Sequence, residues 1–204
     1  MADFTAKDVQ ALRKQTGAGM MDAKKALTET GGDMEKAKDH LREKGITKAD
    51  KRSGREQGEG AVGVYMHTQA GRPVIGVLIG LASETDFVAK SDEFIQTAND
   101  IAMHSAAARP LWLSRADVPE EAVAKEKELI AAEARNEGKP DPIIDKIVDG
   151  RISSFYKDNV LLDQVFVRSD RFEGTVGELV HELAVKMGEN ISITTMARVE
   201  IGEG

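Results

Sequence analysis

An α+β fold is what this sequence predicts: a three-helix N-terminal module, a charged linker, then an antiparallel meander sheet with helices packed on one face. Three observations carry that expectation. Apolar residues recur at helical spacing up to Gly45, the period changes to two near Ala61, and the last third joins a capping box, an amphipathic helix and an alternating strand. A length of 204 residues suits one medium domain plus a small one.

Thr5 is placed to cap the first helix, with Asp8 three residues on and Val9 and Leu12 as a narrow apolar stripe. Thr16-Gly17-Ala18-Gly19 breaks it. The second helix carries Met20, Ala23 and Leu27 and stops at Gly31-Gly32; Asp33 caps the third, whose Met34, Ala37 and Leu41 precede an end at Gly45. From Thr47 to Gly60 no large apolar residue occurs, which predicts a solvated linker.

Ala61 to Thr68 and Pro73 to Ala82 then form a hairpin around Gln69-Ala70-Gly71-Arg72. Val74, Ile75, Val77, Leu78, Ile79 and Leu81 are nearly continuous, so this strand is expected to be covered on both faces. An irregular segment, Ser83 to Lys90, leads to a helix capped by Ser91, with Phe94, Ile95, Ala98, Ile101 and Ala102 inward and Pro110 past its end. A charged helix follows from Pro119 to Glu137, stopped by Gly138, and Asp141-Pro142 starts another through Tyr156 across an interior Gly150. Asp163 to Arg168 reads as a short strand. Thr175-Val176-Gly177-Glu178 is a capping box opening a helix with Val176, Leu179, Val180, Leu183, Ala184 and Met187 on one face, ended by Gly188. Ile191, Ile193, Ala197, Val199 and Ile201 finally alternate with polar residues, as in a half-buried strand.

Composition narrows the function classes. There is no cysteine, hence no disulfide, thiolate metal site or Cys nucleophile, which is consistent with a reducing compartment. Met1 to Asp8 lacks the pattern of a signal peptide and no apolar run reaches membrane-spanning length, so a cytoplasmic protein without membrane attachment is expected. A net charge of −7 and 4% aromatic residues argue against a broad nucleic-acid surface.

Motifs of catalysis are missing. No G-x-x-x-x-G-K-[ST] phosphate loop occurs; Gly17-Ala18-Gly19 has Asp22 where a dinucleotide fingerprint needs its third glycine, and no strand precedes it. His181-Glu182 begins like a zinc-protease motif, but Val185 stands where the second His belongs. His40, His67 and His104 have no carboxylate or His neighbour at ligand spacing, and no G-x-S-x-G elbow exists. The expectation is a protein that is no enzyme and holds no cofactor or metal; a hydrolase with unrecognised carboxylates ranks well below.

One segment stands out. Thr85-Asp86-Phe87-Val88-Ala89-Lys90 places one of only six Phe residues on an otherwise polar turn. Phe87 either folds back as a local core anchor while Asp86 caps the turn, or ring and carboxylate together form a wedge presented to another protein.

Leu12-Arg13-Lys14-Gln15-Thr16-Gly17-Ala18-Gly19-Met20-Met21-Asp22-Ala23-Lys24-Lys25-Ala26-Leu27 and the Thr85–Lys90 stretch resemble the two signature motifs of the elongation factor Ts family, guanine-nucleotide exchange factors for elongation factor Tu. The resemblance covers the whole chain, including Lys186-Met187-Gly188-Glu189-Asn190-Ile191. It implies a ubiquitin-associated-like module over 1–45 that binds the partner, a linker over 46–60 and an exchange and dimerisation core over 61–204. It implies that Thr85, Asp86, Phe87 and Val88 push between helices of the partner's GTPase domain and disturb its Mg²⁺ and phosphate site. Leu12, Arg13, Gly17, Gly19, Met20 and Met21 would hold another face of that domain, in both its GDP-bound and nucleotide-free states. The chain resembles a short form, with one meander where longer members have two related halves and without their inserted helical hairpin; such a core is completed by self-association, for which the free edge of the Asn190–Ile201 strand is a template. The competing reading is a ubiquitin-associated-like adaptor that binds partners without accelerating exchange.

Overall fold

The computed structural model describes residues 4–16, 18–50, 52 and 54–202. Its architecture is α+β: three N-terminal helices, a three-stranded antiparallel sheet, and further helices. Apolar side chains gather in two clusters, one among the first helices and one between the sheet and the later helices. Among the described residues no helix is long and apolar enough to cross a membrane.

Helix α1 (Ala6–Thr16) opens on a reciprocal cap: the Thr5 N–H donates to Asp8 Oδ2 at 2.6 Å, and the Asp8 N–H donates to Thr5 Oγ1. Helix α2 spans Met20–Glu29 and α3 Met34–Asp50, the latter capped by Asp33, which accepts from the N–H groups of Glu35 and Lys36. Val9, Leu12, Ala23, Ala26, Leu27 and Ala37 form their buried contact. Gly45 was expected to end α3 and does not. A mid-helix glycine costs only about 1 kcal/mol, and α3 also meets a later helix, α8 (Val176–Met187), whose packing offsets such a cost. The linker is correspondingly short, and its far end is tied to the core: the Arg55 carbonyl accepts from Asn190 Nδ2, and Gln57 Oε1 accepts from the Ser192 hydroxyl.

Strands β1 (Glu59–Gln69) and β2 (Arg72–Ser83) form the expected hairpin, and β3 (Ser192–Glu200) pairs antiparallel with β2, giving the order β1-β2-β3. The two turn residues, Ala70 and Gly71, have φ of 49° and 81°, the type I′ geometry whose twist matches the strands. Helix α5 (Asp92–Ala108), capped by the Ser91 hydroxyl, lies across the sheet so closely that a Cβ at Gly63 would sit 2.1 Å from the Ala98 carbonyl oxygen. Glycine is required there by contact rather than by φ.

Only one face of β2 is covered. Val77, Ile79 and Leu81 are buried against α5 and α8, whereas Leu78 is exposed. Val62, Val64 and Met66 of β1 and Val199 of β3 share its open side, since Val64 pairs with Leu78 and Val199 with Gly76. The continuous apolar run therefore does not reflect cover on both faces by the described residues. β3 departs from simple alternation too. Its register shifts against Gly80/Leu81, so Ile193 faces inward with Leu81 while Ala197 and Val199 lie opposite Leu78 and Gly76 on the open face. A bulge exchanges faces along a strand whose sequence keeps one parity.

The remaining helices are α4 (Asp86–Ala89) within the segment expected to be irregular, α6 (Glu120–Asn136) and α7 (Asp141–Asn159). α6 and α7 pack on each other as an antiparallel hairpin joined through Gly138. Ile95, expected inside, is exposed on α5. Asp163 to Arg168 is not a strand: a 3₁₀ turn, Leu161–Asp163, and one isolated bridge from Val165 to Thr175 replace it. Helix α8 has its full capping box at Thr175 and Glu178 and ends at Gly188.

His104 of α5 is wholly buried. Its Nδ1 accepts from the Val167 N–H at 3.3 Å, so the ring proton sits on Nε2, 3.0 Å from Gln164 Oε1. Burial pushes its pKa below the ordinary value, outweighing the bond to Gln164. The folded chain therefore binds fewer protons than the unfolded one just below about pH 6.5, and stability is full above that value and falls as pH drops through the window. Thermal melting followed by circular dichroism should show Tm declining from pH 7.5 to 5.5, by at most about 1.4 kcal/mol of stability per pH unit from this residue. In His104→Gln the profile should be flatter; an unchanged slope would remove His104 as its source.

Candidate functional site

β2 delivers the chain to Ser83, which is fully buried, and α5 takes it up again at Ser91. Between them the Thr85 hydroxyl accepts from the Val88 N–H at 3.4 Å and so caps α4. Capping thus falls to Thr85, not to Asp86. Val88 and Ala89, on the inner side of this single turn, are buried, with Val88 in the main core. Phe87, on the outer side, is 84% exposed. The core-anchor reading of Phe87 is thereby overturned: Val88 is the anchor and Phe87 projects from it. Asp86 is exposed beside the ring, and its carboxylate accepts from Lys90 Nζ at 2.6 Å. The hydrogen bond and positive charge of Lys90 hold the Asp86 carboxyl below the usual carboxylate range. The turn so presents a large apolar ring and a fixed negative charge side by side.

A second carboxylate holds the turn from behind. Glu189, two residues past the end of α8, accepts from the N–H groups of Glu84 and Thr85 at 3.0 and 3.2 Å and from the Thr85 hydroxyl at 2.5 Å. Glu84 answers in the other direction, accepting from the Asn190 N–H at 2.6 Å and pairing with Arg55. Those bonds, the Asn190 N–H first, hold the Glu84 carboxyl below its ordinary pKa.

In the N-terminal module, α1 closes with the Thr16 hydroxyl donating to the Leu12 carbonyl at 2.7 Å, while the Ala18 N–H donates to Thr16 Oγ1. Gly19 is the extended residue before α2, and Met20 and Met21 are exposed on its first turn, Met21 by 75%. Arg13 is exposed on α1. Leu12 is fully buried, so it shapes the module and offers no contact surface. Gly17 lies outside the described residues.

The family model for elongation factor Ts matches residues 3–203. The chain belongs to the elongation factor Ts family. It is 50% identical over 201 residues to elongation factor Ts of Moorella thermoacetica, covering 98% of this chain and 97% of that one. The elongation factor Ts of Desulfitobacterium hafniense is 52% identical over 204 residues, covering 100% and 92%. That of a Thermoanaerobacter species is 52% identical over 201 residues, covering 98% and 96%.

In this elongation factor Ts family member the two expected motifs each bring exposed groups together: Asp86 with Phe87, and Met20 with Met21. Glu84, Glu189, Asn190 and Arg55 were missed as parts of the site. Lys186–Ile191 entered the reading only as a matching stretch, because no spacing rule links a carboxylate to backbone N–H groups more than a hundred residues away in sequence.

Proposed function

We propose that this chain is a cytoplasmic guanine-nucleotide exchange factor that promotes GDP release from elongation factor Tu and carries out no covalent chemistry of its own. Family membership supports the activity. The observation that carries the mechanism is Phe87, an almost fully exposed ring on a turn whose neighbours are capped, buried and hydrogen-bonded. Phe87 enters between helices of the partner's GTPase domain, and Asp86 accompanies it, displacing the groups that hold Mg²⁺ and phosphate. Arg13, Gly19, Met20 and Met21 grip a second face of that domain. Binding the nucleotide-free state more tightly than the GDP-bound state is what drives release. An acceleration of three to five decades requires about 4–7 kcal/mol of such difference, more than one ring supplies and within reach of two anchoring modules.

The active form is a homodimer. The open sheet face of Val62, Val64, Met66, Leu78 and Val199 is an apolar patch of the kind that a second copy covers. We place the contact on this face, and the free edge of β3 is secondary to it.

Stopped-flow release of a fluorescent GDP analogue from elongation factor Tu tests the function. Release should accelerate at least about a hundredfold at micromolar chain, or roughly 2.7 kcal/mol. Binding without acceleration, the behaviour of an adaptor, would overturn the assignment.

A further inference from the structure

We infer that Glu189 is a positioning residue for exchange, setting the direction in which the Asp86-Phe87 pair leaves the surface. The inference rests on the wedge reading of Phe87. Among the described residues the hydrogen bonds of the Glu189 side chain end on Glu84 and Thr85, the two residues before that pair. The pairing of β2 with its neighbours stops at Ser83 and Ala82, so the next two N–H groups have no ladder partner. A carboxylate accepts only, and its two oxygens divide the work: Oε2 takes both N–H groups and Oε1 takes the hydroxyl proton.

The hydroxyl bond reaches further than the corner itself. With its proton committed to Glu189, Thr85 Oγ1 turns its lone pairs outward, where one accepts from the Val88 N–H and starts α4. Asp86 and Phe87 are the residues enclosed by that cap, and the Phe87 side chain meets solvent. Among the described residues nothing on the exposed side orients the ring, so its direction is set by the backbone of one turn, and that backbone is held by Glu189. The reverse bond from the Asn190 N–H to Glu84 makes the clasp reciprocal, and Arg55 at the end of the linker closes it through Glu84 and Asn190. The position of the ring is thereby coupled to the corner between α8 and β3.

The test is release of a fluorescent GDP analogue from elongation factor Tu, measured against concentration of the full chain for wild type, E189A, E189Q, F87A and the double variant. Displacing a reacting contact by about 1 Å costs up to a hundredfold, so E189A should lower the saturating rate about tenfold or more with half-saturation shifted less than about threefold. E189Q keeps an acceptor oxygen for the two N–H groups and should recover most of the rate. In the F87A background the effect of E189A should shrink to less than about twofold, because a positioning residue has nothing left to position. A merely structural role would cost the same factor with and without the ring, and that result overturns the inference. So does an unchanged saturating rate in E189A when F87A is slow. If F87A itself exchanges normally, the wedge reading fails and this inference fails with it. Should E189A lose its cooperative melting transition, Thr85→Val, which removes the hydroxyl link and the cap on the Val88 N–H but leaves both N–H bonds to Glu189, is read by the same criteria.

Discussion

Phe87→Ala should slow GDP release from elongation factor Tu roughly 30- to 150-fold while leaving the melting temperature within error. The magnitude is that of burying one Phe side chain, about 2–3 kcal/mol at roughly 1.4 kcal/mol per decade. In the free chain the ring is 84% exposed, so its removal leaves no cavity and takes little area out of the fold. A buried Phe would behave differently, costing about 3–5 kcal/mol of stability. Val88 provides the contrast on the adjacent position: it is buried in the main core, and Val88→Ala should lower Tm. Stopped-flow release and thermal melting on the two variants separate the roles. Normal exchange by a folded F87A protein would refute the wedge.

Leu78→Glu should convert a dimer to a monomer. Leu78 occupies the middle strand of the open face, opposite Val64 on β1 and Ala197 on β3. In a monomer the new carboxylate meets water, and folding stability should stay within about 0.5 kcal/mol. In a dimer packed through this face it would be buried without a partner, a penalty of several kcal/mol, which weakens association by about a thousandfold or more. Sedimentation velocity across the micromolar range reads the change directly. A wild-type chain that remains monomeric throughout, or a Leu78→Glu variant that remains dimeric, would each defeat the assignment of this face.

Local structure was legible at several caps and at the hairpin turn, though not at Gly45, which does not end α3, nor at the Thr85 cap. Thr5 with Asp8, Asp33, Ser91 and Thr175 with Glu178 all cap where their side chains predict, and Ala70-Gly71 turns the hairpin. What the sequence hid depends on distant partners. The apolar run of β2 looked doubly covered because hydrophobicity registers the need for burial, not which molecule satisfies it. The bulge in β3 exchanges faces without altering the alternation of residue types, so Ala197 and Val199 looked like core. α6 and α7 were each visible as helices, but their pairing into a hairpin is a tertiary property. At the site, Asp86 and Phe87 were found by the oddity of an aromatic on a polar turn. Leu12 and Val88 sit in the same motifs yet face inward, since a motif mixes residues that touch a partner with residues that shape the surface they stand on.

The clasp on the Phe87 turn also fixes an order of events during the protein's own synthesis. Thr85 and the residue that fixes it are separated by 104 positions, and contacts across such a span form only after the intervening loop has closed. A nascent chain carries the ring long before it carries Glu189 and β3. Until β3 and the residues just before it have been made, the turn lacks its Glu189 clasp, and the Phe87 ring is loose where the folded chain directs it.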